Sequence, residues 1–381
     1  MKVLLLTNIP SPYMVGYLNE LGKYCKLDVV FEKEFDSTRP QNWKMLLNDN
    51  NFESHILHGK SVNKRYYKDD MDSAPDDKAI SFEVFKFINR NYDFIIVANP
   101  CTPTGILAIM YMRIRRINYL LQSEGGFPGN GQGAKEKFKH WLMKKADLYF
   151  STCELDDQYF LTYGASADRI RRYPFASMAQ SDIPKKYVSQ EERSCFKKKL
   201  GISYSKMILA VGRSVYVKGF DVLLNAIKDL PEDICTFFVG GKCLDEYKNI
   251  IQAGNIKNVF FVDNISQSEL RNYYLAADIF VLPTRSDTWG LVINEAMSFG
   301  LPVITTNTCV AGNALIENGV NGYIVESEND VAIRDSINRL LENPTDIQNF
   351  GENNYNKIRE WTFESMGKIV YEHLQLYKER Q

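Results

Sequence analysis

The chain has 381 residues, more than one hydrophobic core normally serves, so length alone favours two domains. Hydrophobic residues make up 45% and charged residues 24%, an ordinary globular mix, and 46 Lys and Arg against 47 Asp and Glu leave a net charge of -1. That balance argues against a nucleic-acid partner bound through a global basic field, and with no run of about 18 apolar residues a membrane-spanning helix is excluded.

Taken in chain order, apolar runs of strand length alternate with stretches of helical period. Residues 3–7 are predicted as a buried strand, 13–24 as a helix and 27–31 as a strand. A strand at 94–98, a helix at about 104–116, a strand at 118–121 and a basic helix at 135–146 follow. The strands are continuous apolar runs without alternation, the pattern of a parallel sheet covered on both faces. Their alternation with helices implies βαβ units and a doubly wound α/β fold.

Residues 182–205 are polar and charged, and are expected to form a linker with a short helix. The pattern then restarts, with strands at 207–211, 236–239, 259–262, 279–282 and 303–305 and a helix at 219–230. The expected division is a first domain at 1–190 and a second at 205–360. The stretch 362–381 is helical in period, with Met366, Ile369, Val370, His373 and Leu374 forming a stripe. That stripe needs a partner surface, which we expect the first domain to supply.

Seven cysteines are scattered without C-x-x-C spacing, so neither a disulfide framework nor a zinc site is expected, and a reducing cytoplasm is the simplest home. The apolar stretch after Met1 is too short for a signal-peptide core. His55 and His58 flank an expected strand end and are taken as structural.

The chemistry concentrates in the second half. Gly212-Arg213-Ser214-Val215-Tyr216-Val217-Lys218-Gly219 follows a strand and precedes a helix, and places two cations five residues apart. At the carboxyl edge of a doubly wound sheet, such a pair suits a diphosphate. The bland alternative is a surface Arg and Lys flanking a loop. After the strand at 279–282 comes Pro283-Thr284-Arg285-Ser286-Asp287-Thr288-Trp289-Gly290-Leu291, then Glu295-Ala296-Met297 and Gly300-Leu301-Pro302-Val303-Ile304. Gly290 opens a helix whose first amides, near Leu291, face outward for phosphate oxygens. Glu295 can accept two hydroxyl hydrogen bonds, as a ribose diol offers. Read alone, Glu295 is more simply a solvated helix residue, a reading weakened by its apolar neighbours Ala296 and Met297 and the Gly-Leu-Pro turn that follows.

In order and spacing these pieces resemble the donor domain of the retaining glycosyltransferases of family 4, of the bacterial polysaccharide and O-antigen type. That family joins a G-R-x4-K-G element to an E-x7-E segment ending in E-A-M-x-x-G-x-P-V-I. Glu317-Asn318-Gly319-Val320-Asn321-Gly322 and the opening Thr7-Asn8-Ile9-Pro10-Ser11-Pro12-Tyr13 extend the likeness. The resemblance implies the GT-B fold, two Rossmann-like doubly wound domains facing each other across a cleft. It assigns Arg213 and Lys218 to the donor diphosphate, Glu295 to the nucleotide ribose, and Gly212, Gly290 and Leu291 to donor binding. A UDP-sugar is the implied donor, with no metal and no other cofactor, because oriented cations replace one. Where the family has its first Glu, eight positions before Glu295, this chain has Asp287, which keeps the charge with a shorter reach. That carboxylate is expected to contact donor-sugar hydroxyls.

In the first half, Ser123-Glu124-Gly125-Gly126-Phe127-Pro128-Gly129-Asn130-Gly131-Gln132-Gly133 follows a predicted strand. The His that many relatives carry near that strand end is missing, which leaves Glu124 as the candidate contact to sugar or acceptor, against a merely mobile loop. Two basic helices, at 110–117 and 135–145, mix Lys and Arg with Tyr, Phe and Trp. They suit peripheral contact with an anionic membrane at its inner face, or an ordinary solvated basic face. The implied acceptor is a glycan, such as a lipid-linked oligosaccharide. A nucleotide-sugar epimerase of the same fold and a non-catalytic nucleotide-sugar-binding partner subunit stay open as alternatives.

Overall fold

The structure is a computed structural model that describes residues 1–34, 47–62, 78–129 and 132–380. The chain divides into two compact units, Met1–Ala179 with Trp361–Gln381, and Gln180–Glu360.

The first unit begins β1 (Lys2–Thr7), α1 (Pro12–Gly22), β2 (Lys26–Phe31) and β3 (Glu53–Ile56), with β4 (Lys60–Val62) and β5 (Lys78–Ile80) forming a small antiparallel pair. It continues through β6 (Phe94–Val97), α2 (Pro103–Arg115), β7 (Leu120–Gln122), α3 (Gly133–Met143), β8 (Tyr149–Ser151), α4 (Glu154–Thr162) and β9 (Ile170–Arg172). The main sheet is parallel, in the order β3-β2-β1-β6-β7-β8-β9. Val3, Leu4 and Leu5 of β1 are fully buried, which is why that run shows no alternation. Proline sets the start of α2: Pro103 occupies its first turn, and the Thr102 side chain caps it by accepting from the Gly105 N–H at 3.0 Å.

The second unit holds α5 (Gln190–Lys199), β10 (Lys206–Val211), α6 (Phe220–Ala226), β11 (Ile234–Val239), α7 (Asp245–Ala253), β12 (Val259–Val262) and α8 (Gln267–Ala276). It ends with β13 (Ile279–Leu282), α9 (Leu291–Ser298), β14 (Val303–Thr306), α10 (Val310–Leu315), β15 (Gly322–Val325), α11 (Asp330–Glu342) and α12 (Pro344–Ile358). Its sheet is also parallel, in the order β12-β11-β10-β13-β14-β15. Ile208, Ala210, Phe238, Val281 and Ile304 from the strands meet Phe220, Leu223 and Ile337 from covering helices in one core. Both sheets are doubly wound, as the apolar runs imply.

One boundary differs from the sequence expectation. The polar stretch ahead of residue 205 is not a linker, and the second unit starts at Gln180 rather than near 205. A capping box of Ser189 and Glu192 starts α5, and the helix then buries two cations. Arg193, 1% exposed, donates to the carbonyls of Tyr274 (3.4 Å), Ala277 (2.9 Å), Phe299 (2.7 Å) and Gly300 (2.9 Å). Lys197 is buried against Asp278 at 2.8 Å and bonds the Ser205 carbonyl at 2.6 Å. Charge in this helix marks satisfied core contacts instead of a solvated connector.

The last helix, α13 (Phe363–Lys378), belongs to the first unit, where it lies along α1. Met366, Val370 and Leu374 are buried, Tyr24 stacks on Tyr371 at 5.3 Å, and Lys378 pairs with Asp93 at 2.6 Å.

Candidate functional site

In the second unit the chain leaves β10 for β11 and β12 on one side, then crosses to β13 on the other. The carboxyl ends of β10 and β13 therefore flank the point where winding direction reverses, the place where open α/β sheets bind ligands. Both sequence motifs fall there. Gly212 and Arg213 follow β10, and Gly290 and Glu295 lie in the loop and helix after β13.

Two loops meet at this edge. Residues Tyr216–Lys218 make a single 3-10 turn that ends at Gly219. Gly219 has φ +67°, and a Cβ there would sit 2.1 Å from the Pro283 carbonyl oxygen, so only glycine lets the loops approach. The Thr284 hydroxyl and the Arg285 N–H both donate to the Val217 carbonyl at 2.8 Å. This contact brings Lys218 Nζ to 2.5 Å from Asp287 Oδ2, with the two side chains 18% and 17% exposed. Asp287 is pinned separately, its N–H donating to Thr308 and its carbonyl accepting from Val310. Arg213 is half-buried on the turn after Gly212.

Gly290, at φ +98°, caps α9, and Leu291 is the first residue of that helix. Glu295 lies one turn further on and accepts from the Tyr274 hydroxyl at 2.8 Å. Burial pushes the Glu295 carboxyl up to about 7, against the opposing pull of that hydrogen bond. Tyr274 comes from α8, in a part of the chain where the sequence flagged no site residue, and no local signal there points to Glu295.

In the first unit, Glu124 stands just beyond β7 and accepts from the Tyr13 hydroxyl at 3.2 Å. Tyr13 ends the opening run that follows β1, so two stretches singled out separately in the sequence meet here. Burial raises the Glu124 carboxyl to about 7, with the Tyr13 hydrogen bond acting the other way. The preceding Ser123 donates to Asp156 at 2.7 Å and accepts from the Gly125 N–H at 3.1 Å, which fixes the turn. Asn130 and Gly131 of the same glycine-rich stretch lie outside the described residues. His55 sits in β3 against the Phe87 ring, and His58 lies 3.5 Å from Glu83.

Among the described residues, no group of three or more His, Cys, Asp and Glu is placed to hold a metal ion, and no helix is long and apolar enough to cross a membrane. The two basic helices, α2 and α3, present an exposed face. Phe138 and Trp141 stack at 5.8 Å, the Arg113 guanidinium lies 3.9 Å over Trp141, and Ile114 is 77% exposed.

Residues 192–357 match the family described as glycosyl transferases group 1. The chain is 29% identical over 202 residues to the D-inositol 3-phosphate glycosyltransferase of Xylanimonas cellulosilytica, covering 51% of this chain and 48% of that protein. It is 32% identical over 177 residues to spore coat protein SA of Bacillus subtilis, covering 43% and 46%. The chain thus spans about half the length of the curated relatives it matches. The Anabaena protein HepE, solved in complex with UDP, superposes with a TM-score of 0.77 at 17% identity, over 99% of this chain and 100% of that one. The fold is GT-B, with two Rossmann-like units in one chain.

Proposed function

We propose, from a chain that carries the glycosyl transferases group 1 domain at residues 192–357, that the protein transfers a sugar from a nucleotide-sugar donor to a glycan acceptor with retention of configuration. The observation that supports this most is the convergence of Lys218, Asp287 and the start of α9 at the winding reversal of the second sheet. A diphosphate bound there meets the cations of Arg213 and Lys218 and the first amides of α9 near Leu291. In the reaction, the bond between sugar C1 and the diphosphate oxygen breaks as the acceptor oxygen bonds C1 on the same face. The negative charge that develops on the departing diphosphate falls to Lys218 and Arg213, and the acceptor hydroxyl passes its proton to the departing diphosphate oxygen. Glu295 takes the ribose hydroxyls and Asp287 the donor-sugar hydroxyls, and Glu124, in the first unit, is the candidate contact to sugar or acceptor. The structure of HepE with UDP supports a UDP-sugar as the first donor to try.

A panel of UDP-, GDP-, CMP- and dTDP-sugars tests this reading. One donor is expected to raise the melting temperature, by mass action on the folded state, and to be consumed when acceptor glycans are added. Turnover is expected to persist in EDTA, because two cations and a helix N-terminus already face the leaving group. No donor binding across the panel would defeat the reading. Conversion of the donor to its epimer without acceptor would replace transfer with epimerisation, and binding without any turnover would make the chain a donor-binding subunit.

The acceptor proposed is a lipid-linked oligosaccharide of cell-surface polysaccharide synthesis, reached at the cytoplasmic face of a membrane. The α2–α3 face supports this, since stacked aromatics flanked by Lys and Arg suit an anionic lipid surface. Vesicles containing phosphatidylglycerol should sediment the protein, and replacing both Phe138 and Trp141 by Ala should weaken that binding about tenfold or more. Equal binding to neutral phosphatidylcholine vesicles would count against the membrane role.

A further inference from the structure

Arg285 sits between the two loops of the donor site, yet its guanidinium is spent on protein groups. Nη1 and Nη2 grip the Asp221 carboxylate at 2.9 and 2.6 Å, and Nε donates to Glu328 at 2.8 Å. Nη1 also donates to the Tyr216 carbonyl at 2.7 Å, and the guanidinium carbon lies 4.0 Å over the Tyr216 ring. Most of its five N–H donors are thereby committed, and the side chain is only 13% exposed. With two carboxylates against it, Arg285 is poorly suited to bind an anion itself.

Those bonds instead fix the peptide that carries Lys218. The Tyr216 carbonyl is held by the guanidinium, and the Val217 carbonyl by the Arg285 N–H and the Thr284 hydroxyl. Asp221, just past Gly219, anchors the far side of the same turn. A lone 3-10 turn has poor hydrogen-bond geometry, and a lysine has four rotatable bonds, so the ammonium goes only where its backbone is held. In the described structure Asp287 also holds Lys218. A diphosphate that takes over the ammonium leaves the backbone grip as its main restraint.

We propose that Arg285 is a positioning residue that sets Lys218 for the donor diphosphate, through Tyr216, Val217 and Asp221, without contacting the donor. The proposal rests on the donor reading above. The test is titration calorimetry with UDP, GDP, ADP and dTDP on the full chain and on R285A, K218A and the double variant. R285A is expected to weaken the best-bound diphosphate about tenfold or more. In the K218A background the same change should cost less than about twofold, because a residue acting through Lys218 has nothing left to position. Millimolar guanidinium should restore binding to R285A but not to the double variant. R285K should not restore it, since one ammonium cannot grip Asp221 in bidentate fashion and reach Glu328 and the Tyr216 carbonyl as well. If R285A melts below the assay temperature, D221N loosens the same grip from the other side and carries the same comparison. Additive losses in the double variant, or wild-type binding by R285A, would overturn the positioning role and leave the donor site standing. A wild-type chain that binds none of the four diphosphates overturns the donor reading and this role together.

Discussion

Lys218→Ala is expected to lower sugar transfer at least a hundredfold while the protein melts at the wild-type temperature. The ammonium lies at the carboxyl edge of β10, on a turn fixed by glycine and by neighbouring carbonyl contacts, so on the proposed donor reading its loss removes charge from the leaving group without opening a core. Removing one preorganised donor to developing charge costs about 2.7–4 kcal/mol, which is a hundred- to a thousandfold in rate. The partner variant separates two roles. Asp287 holds Lys218 at 2.5 Å, so its carboxylate competes with a diphosphate for the same cation. Asp287→Asn should therefore bind bare nucleotide diphosphate as well as wild type or better, yet turn over more slowly, because the sugar hydroxyls lose their carboxylate. Glu295→Gln should weaken the bare nucleotide and the sugar donor alike. Calorimetry beside steady-state rates checks all three. Wild-type rates in Lys218→Ala, or lost nucleotide binding in Asp287→Asn, would refute the division of roles.

Arg193→Met should cost the second unit about 3–5 kcal/mol of stability, the range for breaking a buried charged network by removing one partner. The guanidinium is enclosed, and bonds carbonyls at the ends of both α8 and α9. Methionine fills part of the volume but supplies no donor, so those carbonyls lose their partner away from water. Urea unfolding followed by circular dichroism measures the loss. A change below about 1 kcal/mol would show that water or a shifted helix replaces the bonds. The substitution should also loosen Glu295, because the Tyr274 that bonds it sits on α8, beside the carbonyls Arg193 holds.

The double winding was legible because a strand buried on both faces must be apolar along its buried run, as are residues 3–6 of β1, residues 207–211 of β10 and all of β13. Short polar edge strands were less so: Ile170–Arg172 pairs on one side only and two of its three residues are arginine, so nothing in its composition separates it from loop, and Glu53–Ile56 showed only as a strand end beside His55 and His58, whereas the apolar edge strand Val259–Val262 was legible. The short helix expected within 182–205 is α5, but the burial of its Arg193 and Lys197 was not legible, since such residues look solvent-facing until their carbonyl and carboxylate partners are in place. The helix expected at 219–230 proves shorter, ending at Ala226. The order of Gly212, Lys218, Asp287 and Glu295 along the chain was enough to locate a site. The contacts of Lys218 with Asp287 and of Tyr274 with Glu295 were not legible, because each joins separate loops or helices through tertiary packing alone.

Because α13 lies along α1, the first unit is interrupted by the second, and this fixes an order on synthesis. The groove that receives α13 exists once α1 and the first sheet are made, but its occupant is not translated until residues 180–360 have passed. At roughly 5–20 residues per second, that interval lasts on the order of 10–40 s. The second unit is continuous, so it can collapse as it leaves the ribosome while the first waits with an apolar stripe uncovered. A chain stalled near Glu360 would keep its candidate donor site and lose the lid of its other half, offering the α1 groove to chaperones and proteases.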